Sequence, residues 1–236
     1  MNNNSGKLNL GDYFERALIF AGLVLLVGCV QLPIGLIVNG NFSPLVNNII
    51  GAAYIIIFMI FIWIALFMYR KYTHPVKKTL TAQNIKWIIL SWLSFLVIEI
   101  VLGLLNQSVY HTSSTANNDI INRIMATSNL TLVLMGVTAV FFSPVLEELV
   151  FRGFLIGAFF KKSSKILPVV VSGVLFAIPH MEDFNVISFV TYASLGMILA
   201  YLYVKTQNIK ISIGLHFLNN LFAMGMMAIQ IFTVGH

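Results

Sequence analysis

The second half of this 236-residue chain sets ionisable and amide side chains inside runs that are otherwise apolar. Glu147, Glu148 and Arg152 lie in Pro-Val-Leu-Glu-Glu-Leu-Val-Phe-Arg-Gly, His180 closes Leu-Phe-Ala-Ile-Pro-His, and His216 and Asn220 lie in Gly-Leu-His-Phe-Leu-Asn-Asn. On a helix, Glu148 and Arg152 are four apart with the acid on the amino side, the favourable order for an intrahelical ion pair. Glu147 points about 100° away from its neighbour and lacks that partner, which makes it the better candidate for a general base. His216 and Asn220 share one helix face by the same spacing, and Phe176 and His180 repeat it on another helix. A carboxylate can take a proton from water, imidazoles can hold that water or a metal, and an amide can stabilise an oxyanion. Together these groups support hydrolysis of an amide bond.

The segments that carry these residues are membrane segments. Hydrophobic residues make up 58% of the chain and charged residues 9%, with a mean hydropathy of +0.90, far outside the range of soluble domains. Apolar runs of about twenty residues without period-two alternation point to helices rather than a barrel, since lipid leaves every backbone polar group to be satisfied internally. The fold expected is therefore all-α, a polytopic transmembrane bundle of seven to eight segments. The runs extend roughly from Ala17 to Val38, Ile49 to Tyr69, Trp87 to Leu105, Leu130 to Phe160, Ile166 to His180, Val186 to Val204 and Ile209 to Phe232. Acidic Asp12 and Glu15 stand beside Lys7 and Arg16 before the first run, so it reads as a retained helix and not a cleaved signal. The fourth run is longer than one bilayer core needs, and Ser143-Pro144 is its expected break, because Ser caps helices well and Pro is tolerated in a first turn. The stretch from Asn106 to Ser128 reads as a polar connection.

A net charge of +6 raises nucleic acid as a partner, but the basic residues gather at the ends of apolar runs and form no stripe. Lys7, Arg16, Arg70, Lys71, Lys77, Lys78, Lys86, Lys161, Lys162, Lys165, Lys205 and Lys210 all fall on one side of a seven-crossing map, which sets the amino terminus inside and the carboxyl terminus outside. The chain belongs in a cell membrane, with lipid as its solvent. Cys29 is the single cysteine, so neither a disulfide framework nor a cysteine-based zinc cluster can form.

In this order and on successive apolar segments, Glu-Glu-x-x-x-Arg, Phe-x-x-x-His and His-x-x-x-Asn resemble the CAAX protease and bacteriocin-processing family (CPBP, or Abi), which includes the Rce1-type prenyl-protein endopeptidases. The resemblance divides the chain into amino-terminal transmembrane helices at 1–129 and a catalytic core at 130–236. It implies a membrane endopeptidase in which Glu147 activates water with help from His180, while His216 and Asn220 polarise the scissile carbonyl. Glu148, Arg152 and Phe176 then support the site. It leaves two mechanisms open: a metal-free one, or one in which Zn2+ or another divalent metal is held by Glu147, His180 and His216 with an open fourth position. The implied substrate is a membrane-associated peptide or protein, in peptide maturation or bacteriocin self-immunity. The family implies eight segments where the runs give seven.

Plainer readings stand beside this one. Glu148 with Arg152 alone suits a buried ion pair fixing helix register, His180 alone an interfacial histidine, and His216 with Asn220 polar packing between helices. A non-catalytic immunity or binding protein that sequesters a peptide is the alternative function. A proton relay would instead predict inverted repeats, which the sequence lacks. Glu99 has no accompanying motif and reads as structural or substrate-lining. Gly153 and Gly157 read as a close-packing face, and His74, His111 and His236 as loop or terminal residues. The signatures His-Glu-x-x-His, Gly-x-Gly-Asp and Gly-x-Ser-x-Gly are absent.

Overall fold

Polar residues at the ends of the apolar runs set where several of the helices begin. The computed structural model describes residues 8–234, so Lys7 and His236 lie outside the described residues. Asn9 and Asp12 form a reciprocal capping box that starts α1 (Leu10–Cys29), and α2 (Leu32–Asn39), with Pro33 in its first turn, continues the same crossing after a turn at Val30–Gln31. Ser43 caps α3 (Pro44–Thr73), and Thr81 with Asn84 caps α4 (Ala82–Tyr110). The left-handed residues His74 and His111 end these two helices, so both histidines serve as helix stops. Next come α5 (Ala116–Thr127), α6 (Asn129–Phe159), α7 (Ile166–His180, its last turn 3₁₀), α8 (Val186–Thr206) and α9 (Ile209–Val234).

Six of the crossings, with α1 and α2 counted as one, are long and apolar enough to span a bilayer, and α7 is a shorter apolar helix beside them. The chain is a multi-pass membrane protein. Its outer face carries Trp63, Leu104 and Phe232, each more than half exposed, while its interior holds a fully buried arginine, Arg152.

Two expectations require correction. The stretch from Asn106 to Ser128 is not simply a polar connection: α4 runs on to Tyr110, and α5 follows, capped by Thr115. Ile121, Ile124 and Met125 on α5 pack against the core, which the many Asn and Ser residues nearby concealed. The break at Ser143-Pro144 does not occur either. Ser143 is helical (φ −57, ψ −47), and α6 runs through it as one helix of 31 residues. Two π-helical stretches, Thr138–Phe142 and Leu149–Phe154, flank the proline and acidic residues. In the wider register Ser143 donates its N–H to the Thr138 carbonyl, so the Ala139 carbonyl would next pair with Pro144, which has no N–H. Asn220 on α9 supplies the missing donor, 2.8 Å from that carbonyl.

Glycines allow the closest helix approaches. A Cβ at Gly153 would stand 2.9 Å from the Tyr69 ring and one at Gly157 2.7 Å from Thr73 Cγ2, so this pair seats α6 on α3, as expected of its spacing. Between α7 and α8 the contact is backbone to backbone: a Cβ on Gly196 would lie 2.9 Å from Gly173 Cα. That approach fixes the helix carrying His180.

The basic helix ends meet at one end of the bundle. Lys78 donates to the Thr206 carbonyl, Lys205 lies 3.3 Å from the centre of the Trp87 ring, and Arg16 donates to the Ala158 carbonyl. At the opposite end Asn106 joins the turn after α4 to Asn185, which caps α8.

Candidate active site

Glu147 leaves α6 just before the second π-helical stretch, with only 9% of its surface exposed, and its Oε2 atom has no hydrogen-bond partner. Two imidazoles face that oxygen. His180 Nε2 is 3.8 Å away and His216 Nε2 3.9 Å away, brought there from α7 and α9.

The far side of each ring fixes what the near side offers. His180 Nδ1 is 2.8 Å from the Phe176 carbonyl, which can only accept, so Nδ1 carries the hydrogen. His216 Nδ1 is 3.0 Å from Glu148 Oε1 and donates to that carboxylate in the same sense. With both Nδ1 atoms committed, both Nε2 atoms point toward Glu147. Phe176 packs under the pair, its ring centre 4.6 Å from that of His180 and 5.7 Å from that of His216.

Behind His216 lies a wholly buried network. Arg152 Nη1 pairs with Glu148 Oε1 at 2.8 Å, its Nη2 donates to the Gly196 carbonyl at 2.9 Å, and its guanidinium lies over the Phe176 ring at 4.4 Å. Glu148 therefore links Arg152 to His216, while Glu147, one residue earlier, turns toward the opening. Neighbouring carboxylates thus divide into one that is neutralised and one that is available.

The opening is a cavity of about 400 Å3, within the range that holds a ligand, and Glu147, His180, His216 and Asn220 all line it. Asn220 does so while one of its two N–H bonds serves Ala139; the other is not engaged by a described residue. Tyr192 on α8 is a site residue that no sequence motif marks. It stacks on His180 with ring centres 4.8 Å apart, and its hydroxyl meets Thr115 at 2.7 Å and Asn117 at 3.2 Å. A lone tyrosine in an apolar helix gave no signal, because its partners lie some 75 residues away in sequence.

The donors that face Glu147 stand farther from it than the ligands of one tetrahedral ion would. Ligands on one tetrahedral first-row ion, with bonds of about 2.0–2.1 Å, stand about 3.3–3.4 Å apart, whereas Glu147 to each imidazole is 3.8–3.9 Å. Among the described residues no group of three His, Cys, Asp or Glu side chains is arranged to hold a metal ion.

Substitution of Asn220 by Ala strips the Ala139 carbonyl of its donor and leaves it unpaired beside Pro144. Unfolding in detergent is expected to show a loss of about 1–2 kcal/mol. Unchanged stability would remove Asn220 as the support of the π-helical turn.

Residues 129–222 match the family model described as type II CAAX prenyl endopeptidase Rce1-like. The chain is 25% identical to "Uncharacterized protein YyaK" of Bacillus subtilis (strain 168) over 237 residues, covering 92% of this chain and 78% of that one. It is 30% identical over 89 residues to "Putative membrane peptidase YdiL" of the same organism, covering 38% of this chain and 35% of that protein. A third relative, "UPF0177 protein YvdC" of Lactococcus lactis subsp. lactis (strain IL1403), is 27% identical over 137 residues, 58% of this chain and 51% of its own length. No solved structure matches.

Proposed function

We propose that this chain, whose residues 129–222 match the Rce1-like family model, is an intramembrane protease that cleaves membrane-associated peptides with water activated by Glu147. The observation that carries this reading is the buried, unpartnered Glu147 Oε2 facing Nε2 of both His180 and His216. A carboxylate held out of solvent with no internal partner is the arrangement expected of a general base.

Water seated between Glu147 and His180 gives one hydrogen to Glu147 as its oxygen attacks the scissile carbonyl. The carbonyl oxygen takes the negative charge of the tetrahedral intermediate. His216, held at Nδ1 by Glu148, and the second N–H of Asn220 flank that oxyanion as its candidate partners. Collapse breaks the C–N bond, and Glu147 returns its proton to the leaving amine. Glu148 and Arg152 hold His216 in the orientation this needs.

Among the described residues no group of three His, Cys, Asp or Glu side chains is set to hold an ion, which favours a water-based route over a three-ligand one. The charge asymmetry of the helix ends also favours a cavity facing away from the cytoplasm, since Asn117, Asn118 and Glu182 line it at the end opposite the lysine-rich loops.

The test is cleavage of a fluorogenic peptide library by the detergent-purified protein, with and without chelator. Cleavage that survives chelation is expected. Loss on chelation, restored by a divalent ion, would replace the glutamate route with a metal-dependent one. A folded protein that cleaves no member would favour a membrane protein that binds or sequesters peptides without hydrolysing them.

A further inference from the structure

Glu99 lies near the middle of α4, in the half of the chain that carries none of the three motifs. Its side chain lines the same cavity as Glu147 and His180. It makes no hydrogen bond and no ion pair with any described residue. A carboxylate set within a membrane helix and left without a partner is costly, and in membrane proteins such residues face a cavity or a pathway for a ligand.

The rest of the cavity supplies the charge pattern. Of the residues that line it, Glu99, Glu147 and Glu182 are acidic and none is Lys or Arg, although the chain carries fourteen basic residues and a net charge of +6. Most of the described basic residues gather at the opposite end of the bundle, Arg123 on α5 is exposed outside the lining with its Nε donating to the Asp119 carbonyl, and Arg152, beneath the site, is fully buried and committed to Glu148 and the Gly196 carbonyl. The neutral wall next to the site, Tyr192 with Thr115 and Asn117, is hydrogen-bonded within itself. Independently of Glu99, Glu147 Oε2 is buried, unpartnered and turned into the same space. A cationic group entering this cavity would meet carboxylates and no lysine or arginine of the lining. An acidic one would meet three carboxylates of like charge.

We propose that Glu99 is a specificity-determining residue that receives a Lys or Arg side chain of the peptide, close to the bond presented to Glu147. The proposal rests on the peptidase reading above and deepens it by naming the class of substrate. Lys and Arg suit the role because their apolar stems can run along the Phe95 and Ile121 side of the cavity while the charged end reaches the carboxylate.

The experiment uses N-acetylated, carboxyl-amidated fluorescent peptides that differ only in Lys, norleucine or Glu at one position, with the full chain in detergent. Binding is measured to the Glu147→Gln protein, so that no turnover is required, and cleavage is measured with the otherwise native protein. The Lys peptide is expected to bind and to be cleaved at least tenfold better than the norleucine peptide, with the Glu peptide poorest. Glu99→Gln should remove that preference while leaving the norleucine peptide within about twofold, and Glu99→Asp should keep it. Equal treatment of the three peptides, or a Lys preference unchanged in Glu99→Gln, overturns the proposal even where cleavage is robust. If no peptide is cleaved but the Glu99-dependent binding preference is present, the peptidase reading fails and the cation site stands.

Discussion

Replacing Glu147 with Gln is expected to lower peptide hydrolysis by about 10³-fold or more, with the protein still folded. A positioned general base contributes about 10²–10⁴-fold, and Gln occupies the same space without being able to take a proton. Stability should not suffer. Glu147 Oε2 has no hydrogen-bond partner to lose, and the residue is 9% exposed, so the neutral isostere removes an uncompensated buried charge. The thermal midpoint in detergent is therefore expected to equal or exceed that of the native chain. The measurement is turnover of a cleaved peptide beside an unfolding curve for the same preparation. Hydrolysis within about tenfold of the native rate in a folded Glu147→Gln protein would move the base to another residue.

The opposite balance is expected one residue later. Glu148→Leu or Arg152→Leu alone leaves a fully buried charge without its partner, which typically costs about 3–5 kcal/mol, and either variant should fold poorly or not at all. Replacing both, as Glu148→Leu with Arg152→Met, removes both buried charges and should recover much of that loss. Two atoms of the pair, Glu148 Oε2 and Arg152 Nε, lack partners even in the native chain, so the double replacement forfeits less than the ion pair suggests. Activity should not return with stability, because His216 Nδ1 no longer has the Glu148 oxygen that orients it. Unfolding and peptide turnover of the three variants separate the two roles. A stable double variant with native turnover would show that the pair fixes the fold and does nothing for His216.

The difference between these adjacent glutamates illustrates what the sequence can carry. Helical geometry alone turns Glu147 and Glu148 about 100° apart, and the four-residue step to Arg152 says which of them is neutralised. The same periodicity gives shared faces to Phe176 with His180 and to His216 with Asn220, and the apolar runs give the crossings and the grouping of basic helix ends. The contact of Gly153 and Gly157 with α3 was legible as a small-residue face, although its partner helix was not.

Other features depend on residues far apart in the chain. Pro144 is a reasonable helix start when read locally, yet α6 passes through it because Asn220, 76 positions later, serves the Ala139 carbonyl that Pro144 cannot. Tyr192 joins the site only through its stacking on His180 and its bonds to Thr115 and Asn117. Glu99 faces the cavity only because α4 packs beside α8 and α9, and the Gly173–Gly196 approach that positions α7 has no mark in either helix alone. By itself, then, the sequence determined the all-helical membrane fold, the approximate positions of its apolar segments and a set of candidate residues, because hydropathy and the 3.6-residue period act within one segment. Only the tertiary structure decided which faces meet and which polar atoms are satisfied across helices, because those depend on packing that no single segment encodes.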